Sequence, residues 1–341
     1  MLAARLAEDA RCLAVVEVAA PSAGPGEVVV AVRACGICAS DLHALDGVVE
    51  TAFRPITLGH EAAGEVAAVG DGVTGVRVGD RVVLNPLVAC GACRACGRGA
   101  PNLCSRRRVI GFHRDGAFAE LVAVPASCVV ALPEGLSYEE AAIVEPAATA
   151  FHALTAVAGV RVGDAVAVIG AGGLGVHAIQ VARLAGAVEV IAVDVAEAAL
   201  ERALRIGATH TVDARAGDPV KAIRAIAGDG VDVAIECVGR PQTCLWAARA
   251  LRPGGTAAIV GVGAEPVELP PAAVLVAKEI GVRGSFGYTP AELATVAGLF
   301  AAGRLNARLA ISATYPLAEA AEAVDAFRER RGDPVRVLVL P

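Results

Sequence analysis

Valine-rich runs, each cut by a turn, dominate the first part of the chain. Segments 26–36 (GEVVVAVRACG), 64–70 (GEVAAVG), 80–84 (DRVVL) and 118–132 (FAELVAVPASCVVAL) alternate with turn signals such as GPGE and two VGD triplets. β-Branched runs bounded by glycine and aspartate predict short strands, and together they predict an antiparallel β-rich unit. From about residue 147 the period changes. AVAVIG (165–170) reads as a buried strand, GLGVHAIQVARLAG as a helix, VEVIAVD (188–194) as a second strand and AEAALERALRIG as a second helix. HTVDA (210–214), VDVAIECVG (231–239), GTAAIVGVG (255–263) and EIGVRGSF (279–286) continue the series. Strands alternating with helices predict a parallel, doubly wound sheet, so the fold class is α/β. The C-terminal segment holds two helical stretches and a final strand, PVRVLVLP, which is expected to return to the first unit.

Length supports two domains, since 341 residues exceed one ordinary core. A chain that is 55% apolar and 19% charged, with 38 glycines, is globular rather than disordered or collagen-like. The mean hydropathy of +0.59 raises the question of a membrane span. The most apolar stretch, 165–187, is interrupted by glycines, a histidine, a glutamine and an arginine. A spanning helix needs about 20 mostly apolar residues, so no membrane is expected. The N-terminal MLAARLAEDARCL lacks the form of a secretory signal, which predicts a cytoplasmic protein with reduced thiols. A net charge of −6 leaves no basic footprint for nucleic acid, and Arg106, Arg107 and Arg108 read as a solvated loop.

Candidate chemistry begins with CGACRACGRGAPNLC. Cys90, Cys93, Cys96 and Cys104 follow C-x2-C-x2-C-x7-C. Thiolates at that spacing reach one ion from a tight turn and leave no open position, the signature of a structural zinc. An iron–sulfur cluster is the competing metal. GAGGLG follows an apolar strand and opens a helix. Gly170, Gly172 and Gly175 fill the glycine positions of a dinucleotide loop, completed by Gly173 and Leu174. Asp194 ends the next strand, where an acid binds the adenosine ribose. With no arginine directly after it, a carboxylate there repels a 2′-phosphate, which favours NAD over NADP. Cys38, His60, Glu61 and Glu145 are bland taken singly.

Their surroundings change that. GICASDLHALDG (36–47), LGHEAAGEVAAVG (58–70), the four-cysteine lobe and GAGGLG, in that order, resemble the zinc-dependent medium-chain alcohol and polyol dehydrogenases over essentially the whole chain. The resemblance implies a GroES-like catalytic domain (1–146, with a structural-zinc lobe at 86–106), a Rossmann domain (147–286) and a C-terminal segment (287–341) that rejoins the first. It implies two zinc ions per subunit, one catalytic and one structural, and NAD-linked oxidation of a secondary alcohol or polyol to a ketone. Primary alcohols or aldehydes are the alternative substrates, and an inactive relative acting as a binding protein is a more distant alternative. A zinc-free reductase of the same fold lacks both the lobe and the GHE ligands.

By the same resemblance Cys38 and His60 are catalytic-zinc ligands, with Glu61 a ligand in some states. Glu145, followed by proline, stands where the alcohol branch has cysteine. Cys38, His60, Glu61 and Zn2+ sum to zero charge. Adding Glu145 gives −1 and a weaker Lewis acid, so the two glutamates are expected to alternate. Asp41 orients the histidine ligand, as such partners do, while Ser40 and His43 form a proton relay. Arg336 is read either as a pyrophosphate ligand or as a surface charge on an edge strand. Val262 and Ser285 lie in the segments expected beneath the nicotinamide. Leu45, Phe53, Pro86 and Phe112 are expected to wall the pocket, and Cys12, Cys35, Cys128, Cys237 and Cys244 to be buried apolar groups. The short stretch from Cys104 to Glu145 favours a homo-tetramer over a dimer, and the partner is a small alcohol or ketone.

Overall fold

The structure, a computed structural model, describes residues 1–8 and 11–341. The chain divides into two compact units, one formed by Met1–Glu145 with Thr289–Pro341 and the other by Pro146–Tyr288.

The first unit is built on a seven-stranded sheet. Its order is Val129–Ala131, Arg81–Leu84, Glu61–Val69, Glu27–Gly36, Arg336–Leu340 and Ile311–Pro316, with Leu121–Pro125 also paired to Glu27–Gly36. The strand Glu27–Gly36 is central because it is the longest apolar run of this unit. Its first half pairs with Leu121–Pro125 and its end with Arg336–Leu340. One pair departs from the antiparallel expectation: Ile311–Pro316 and Arg336–Leu340 run parallel. The helix Ala320–Arg328 lies between them in sequence and supplies the crossover that a parallel pair requires. A smaller sheet joins Leu13–Glu17, Leu2–Leu6 and Ile56–Thr57. The N-terminal hairpin in it carried no strong periodic signal. The predicted strand 118–132 is broken by the short helical turn Ala126–Cys128, which follows Pro125. Leu6, Val30, Ile37, Leu58, Phe118 and Val339 belong to one core cluster of this unit.

The second unit is a six-stranded, wholly parallel sheet. Its order is His210–Asp213, Glu189–Asp194, Ala165–Ile169, Val231–Glu236, Leu251–Ile259 and Gly281–Gly284. Ala165–Ile169 is buried at every position. Ala165, Ala167 and Ile169 enter one core cluster, while Val166 and Val168 are buried on the opposite side of the strand. A strand covered on both faces must be apolar throughout, which is why AVAVI does not alternate. The order reverses between Ala165–Ile169 and Val231–Glu236, the point where doubly wound sheets bind ligands at their carboxyl edge.

Several expectations change. Among the described residues one helical run, Tyr138–Ala158, is long and apolar enough to span a bilayer, and 61% of its apolar window is buried within the protein. Burial on that scale describes a core helix. Cys12 is exposed, whereas Cys35, Cys128 and Cys244 are buried and Cys237 is intermediate.

Phe118 is fully buried, and its ring and backbone pack against Gly59, directly before His60. Phe118→Ala should therefore lower stability by about 3–5 kcal/mol, read as a shift of the urea unfolding midpoint at constant slope.

Candidate functional site

Cys38 is the N-cap of the short helix Ala39–Leu45, which carries Ser40, Asp41 and His43. The Asp41 carboxylate, fully buried, has two partners. Its Oδ2 accepts the Cys38 backbone N–H at 2.9 Å, and its Oδ1 stands 3.3 Å from His60 Nδ1. The second contact is a charge pairing rather than an aligned hydrogen bond. One carboxylate thus sets the positions of two sulfur- and nitrogen-bearing residues far apart in sequence. With Nδ1 turned toward Asp41, Nε2 is left for other work, and Ser40 Oγ lies 3.3 Å from it. Phe112 covers the imidazole, its ring centroid 5.3 Å away. Gly59, directly before His60, permits the close packing of a different ring, Phe118: its φ is +90°, and a Cβ there would stand 2.7 Å from that ring.

Cys38, His60 and Glu61 present donor atoms that all lie within 4.8 Å of one another. A thiolate, an imidazole and a carboxylate converging on one point form a three-ligand set with room for a fourth group. That donor set fits a reactive zinc. Burial disfavours a charged imidazole at His60, but the Asp41 carboxylate and then Cys38 outweigh it and hold its pKa well above 6.5. The metal-free chain therefore keeps a proton where an ion would bind.

Glu61 opens the strand Glu61–Val69 opposite Gly36, fully buried. A side chain at Gly36 would collide with its carboxylate. Arg336 is the cation that neutralises it, with Nε 3.2 Å from Glu61 Oε2 and Nη1 donating to the Ile37 carbonyl at 3.1 Å. Arg336 is 3% exposed and sits on a strand flanked by two others, so it is not a surface charge on an edge strand. The described contacts place this guanidinium inside the first unit, on Glu61, because a buried carboxylate requires a counter-charge. Burial opposes the Arg336 charge, yet Glu61 first, then Cys38 and Glu145, keep its pKa raised. Sequence reasoning missed the Glu61–Arg336 pair, and no local pattern signals it.

Glu145 lies in the helix Val144–His152 and is 9% exposed. It is near enough to act on Arg336 but stands outside the three-residue donor group. His43 has a buried Nδ1 with no hydrogen-bond partner among the described residues. Of the expected pocket walls, Phe112 meets His60, Leu45 is a core residue and Phe53 is 43% exposed.

Cys90, Cys93, Cys96 and Cys104 also place their sulfurs within 4.8 Å of one another, and all are free thiols. The Cys90 N–H and the Arg106 N–H reach Cys104 Sγ at 3.3 and 3.4 Å, and Arg106 Nη2 donates to Cys90 Sγ at 3.3 Å. Arg106, Arg107 and Arg108 are exposed, as expected of a solvated loop, and the Arg106 guanidinium adds a contact with Cys90. Backbone N–H groups of Cys96 and Ser105 lower Cys93 to about 5, and that of Ala92, with Cys104, lowers Cys90 to about 7. Desolvation, and then its neighbour Cys93, raise Cys96 to about 11. The lobe favours the thiolate at Cys93 and Cys90, and four sulfurs gathered within reach of one point fit a closed tetrahedral zinc.

The second unit holds the nucleotide candidates. Gly170 has φ +92°, and a side chain at Gly175 would strike the Gly170 carbonyl. At Gly172 a Cβ would meet nothing within 4 Å, which leaves open space above the loop. Leu174 caps the helix Gly175–Leu184. The three glycines thus serve the turn, the ligand approach and the helix packing respectively. Asp194 accepts N–H groups of Ala171 (2.8 Å), Val195 (2.7 Å) and Ala196 (3.0 Å), which ties it to the loop. Val262 is 57% exposed, and Ser285 Oγ is buried without a hydrogen-bond partner among the described residues.

A buried metal-type donor set in one unit and a glycine loop with an acidic strand end in the other define a metal- and nucleotide-dependent oxidoreductase. The chain belongs to the zinc-dependent medium-chain alcohol and polyol dehydrogenase family. Residues 24–134 match the Alcohol dehydrogenase GroES-like domain and 173–302 the Zinc-binding dehydrogenase family. It is similar to a sorbitol dehydrogenase of Bacillus subtilis, with 35% identity over 94% of this chain and 92% of that one. Among solved structures, a protein described as a zinc-binding dehydrogenase of Sinorhizobium meliloti, bound to NADP, superposes with TM-score 0.93 at 38% identity, covering 100% and 99% of the two chains. A 2R,3R-butanediol dehydrogenase of Bacillus subtilis superposes with TM-score 0.91 at 32% identity over 100% and 99%.

Two outcomes follow from the charge arrangement. In metal-depleted protein, Arg336→Ala strands Glu61 and should lower stability by about 3–5 kcal/mol, while Glu61→Gln in the same background restores part of it; denaturant titration reads both. Because the His60 pKa is raised, its charge stabilises the metal-free fold at low pH and that contribution disappears as pH rises through the raised value. Zinc competed against a chromophoric chelator should therefore bind more tightly as pH rises, with proton release on binding. An affinity flat with pH would contradict this.

Proposed function

We propose that the protein oxidises a secondary alcohol or polyol to a ketone, reversibly, with NAD as hydride acceptor and two zinc ions per subunit. The observation that carries the reading is the convergence of Cys38, His60 and Glu61, with Asp41 behind the imidazole and Ser40 beside it. Cys38 and His60 hold the reactive ion with one glutamate, and the four-cysteine lobe holds the structural one. Zinc supplies Lewis-acid stabilisation of the oxygen anion formed from the substrate hydroxyl, and NAD supplies the acceptor for its hydride.

The chain's own residues do the rest. Asp41 orients the imidazole and draws the start of the helix Ala39–Leu45 toward it. Ser40 Oγ accepts the substrate hydroxyl proton, and His43 passes it to solvent. Arg336 carries the compensating charge for Glu61, so a second carboxylate nearby costs less than the four-ligand count alone implies. Glu61 and Glu145 alternate, one binding while the other withdraws. Asp194 receives the adenosine ribose hydroxyls and repels a 2′-phosphate, which supports NAD, although the similar Sinorhizobium protein carries NADP. The names of the sorbitol and butanediol dehydrogenases among its relatives support a secondary hydroxyl as the reacting group. The protein works as a homo-tetramer in the cytoplasm.

A panel of secondary alcohols, polyols and primary alcohols, assayed with NAD and NADP before and after chelation, tests this. Expected are NADH formation from a secondary alcohol, loss of activity on chelation, two zinc ions per subunit, and a fall in kcat of about 100-fold or more in Ser40→Ala. No turnover of any alcohol with either cofactor would refute it.

A further inference from the structure

Glu236 ends the strand Val231–Glu236 and is fully buried, yet it belongs to none of the motifs that pointed to the cofactor. The N–H groups of Val238 and Gly239 donate to its Oε1, each at 2.8 Å, and the Thr243 hydroxyl stands 2.8 Å both from that oxygen and from the Arg240 carbonyl. Thr243 lies in the first turn of the helix Pro241–Ala250. The same residue's backbone carbonyl accepts Val260 N–H at 2.9 Å and Gly261 N–H at 3.0 Å, across from the next strand, Leu251–Ile259. One residue thus bonds the turn after its own strand and the turn after its neighbour.

Those turns touch backbone to backbone. Gly239 has φ +83°, and a Cβ on it would lie 2.6 Å from the Val262 carbonyl. Side chains at Gly261 or Gly263 would collide with the Gly239 backbone, and one at Gly261 would also stand 2.7 Å from Glu236 Oε2. No side chain separates the two turns, so the position of one dictates the position of the other. Val262, between Gly261 and Gly263, is left facing outward. Both turns sit at the carboxyl edge of the sheet, beside the reversal of strand order where a dinucleotide binds.

We propose that Glu236 is a positioning residue for the nicotinamide half of the cofactor, clamping turn 237–239 to turn 260–263 and so setting the backbone floor beneath that ring. The proposal rests on the reading of the protein as a nicotinamide-dependent dehydrogenase. Gly170 packs on Val238 of the same turn, so a ligand that engages only the adenosine and pyrophosphate half is the control that separates a positioning role at the ring from a general folding one.

The test compares two ligands on zinc-loaded protein by calorimetry. NADH carries the nicotinamide, or NADPH should the wild type prefer it. ADP-ribose carries the adenosine, pyrophosphate and ribose without that ring. Glu236→Ala should weaken NADH binding about 10-fold or more while leaving ADP-ribose within about twofold. Glu236→Gln, which keeps an acceptor oxygen, should recover part of the loss. Gly263→Ala, which pushes the turns apart, should reproduce the selective loss. Equal weakening of both ligands, or no weakening of NADH, would overturn the clamp. Should Glu236→Ala fail to fold, the same comparison in Glu236→Gln and Gly263→Ala decides by the same outcomes. Wild-type protein that binds neither NADH nor NADPH would overturn the functional reading together with the clamp.

Discussion

The Asp41 carboxylate is the contact on which the reactive centre depends. Buried completely, it accepts the Cys38 N–H with one oxygen and faces the His60 imidazole with the other. Neither ligand is positioned by its own neighbours alone. Cys38 lies at the end of the central strand and the start of a short helix, and His60 follows a strained glycine. A carboxylate that could not reach both would leave the sulfur and the nitrogen without a shared reference. Burial makes the arrangement stiff, because an anion in a low-dielectric site holds tightly to the few partners it has.

A second buried charge pair extends the same logic. Glu61 follows His60 directly, so it is carried into the core whether or not an ion is bound. Arg336 meets it there from the C-terminal strand. The last strand of the chain is thereby part of the metal environment rather than an accessory to the sheet. This is why the fold returns its C-terminus to the first unit: Arg336–Leu340 pairs with the end of Glu27–Gly36, just before Cys38. The metal donors then belong wholly to the first unit and the glycine loop wholly to the second, each built on a different sheet.

Chemistry carried by short-range spacing was legible in the residues. Four cysteines within one lobe, three glycines in a strand-to-helix turn and an acid at the next strand end each need only local geometry, and their physics is nearly independent of the remainder of the fold. The parallel sheet was legible for a related reason, since AVAVI and its successors are too uniformly apolar to be half-exposed. What escaped was non-local or weakly periodic. The hairpin Leu2–Glu17 mixes charged and apolar residues without a clean alternation. The contact of exposed Arg106 with Cys90 spans sixteen positions and leaves no local signal. Glu236 looked like an ordinary strand residue because its donors come from a turn and a helix that follow it.

The residues by themselves determined the class of three sites: a closed thiolate cage, a dinucleotide loop and a set of zinc-type ligands recognisable by their order along the chain. Only the tertiary structure decided the charge balance within them. Arg336 could be read as a surface cation until its burial against Glu61 was seen. Glu145 reads as one of the acidic residues of the site, and only the fold sets it beside the three-residue donor group rather than within it. The physical reason is that ligand type is encoded in single side chains and their spacing, whereas the electrostatic partner of a buried charge is whichever residue the folded chain brings within a few ångströms of it.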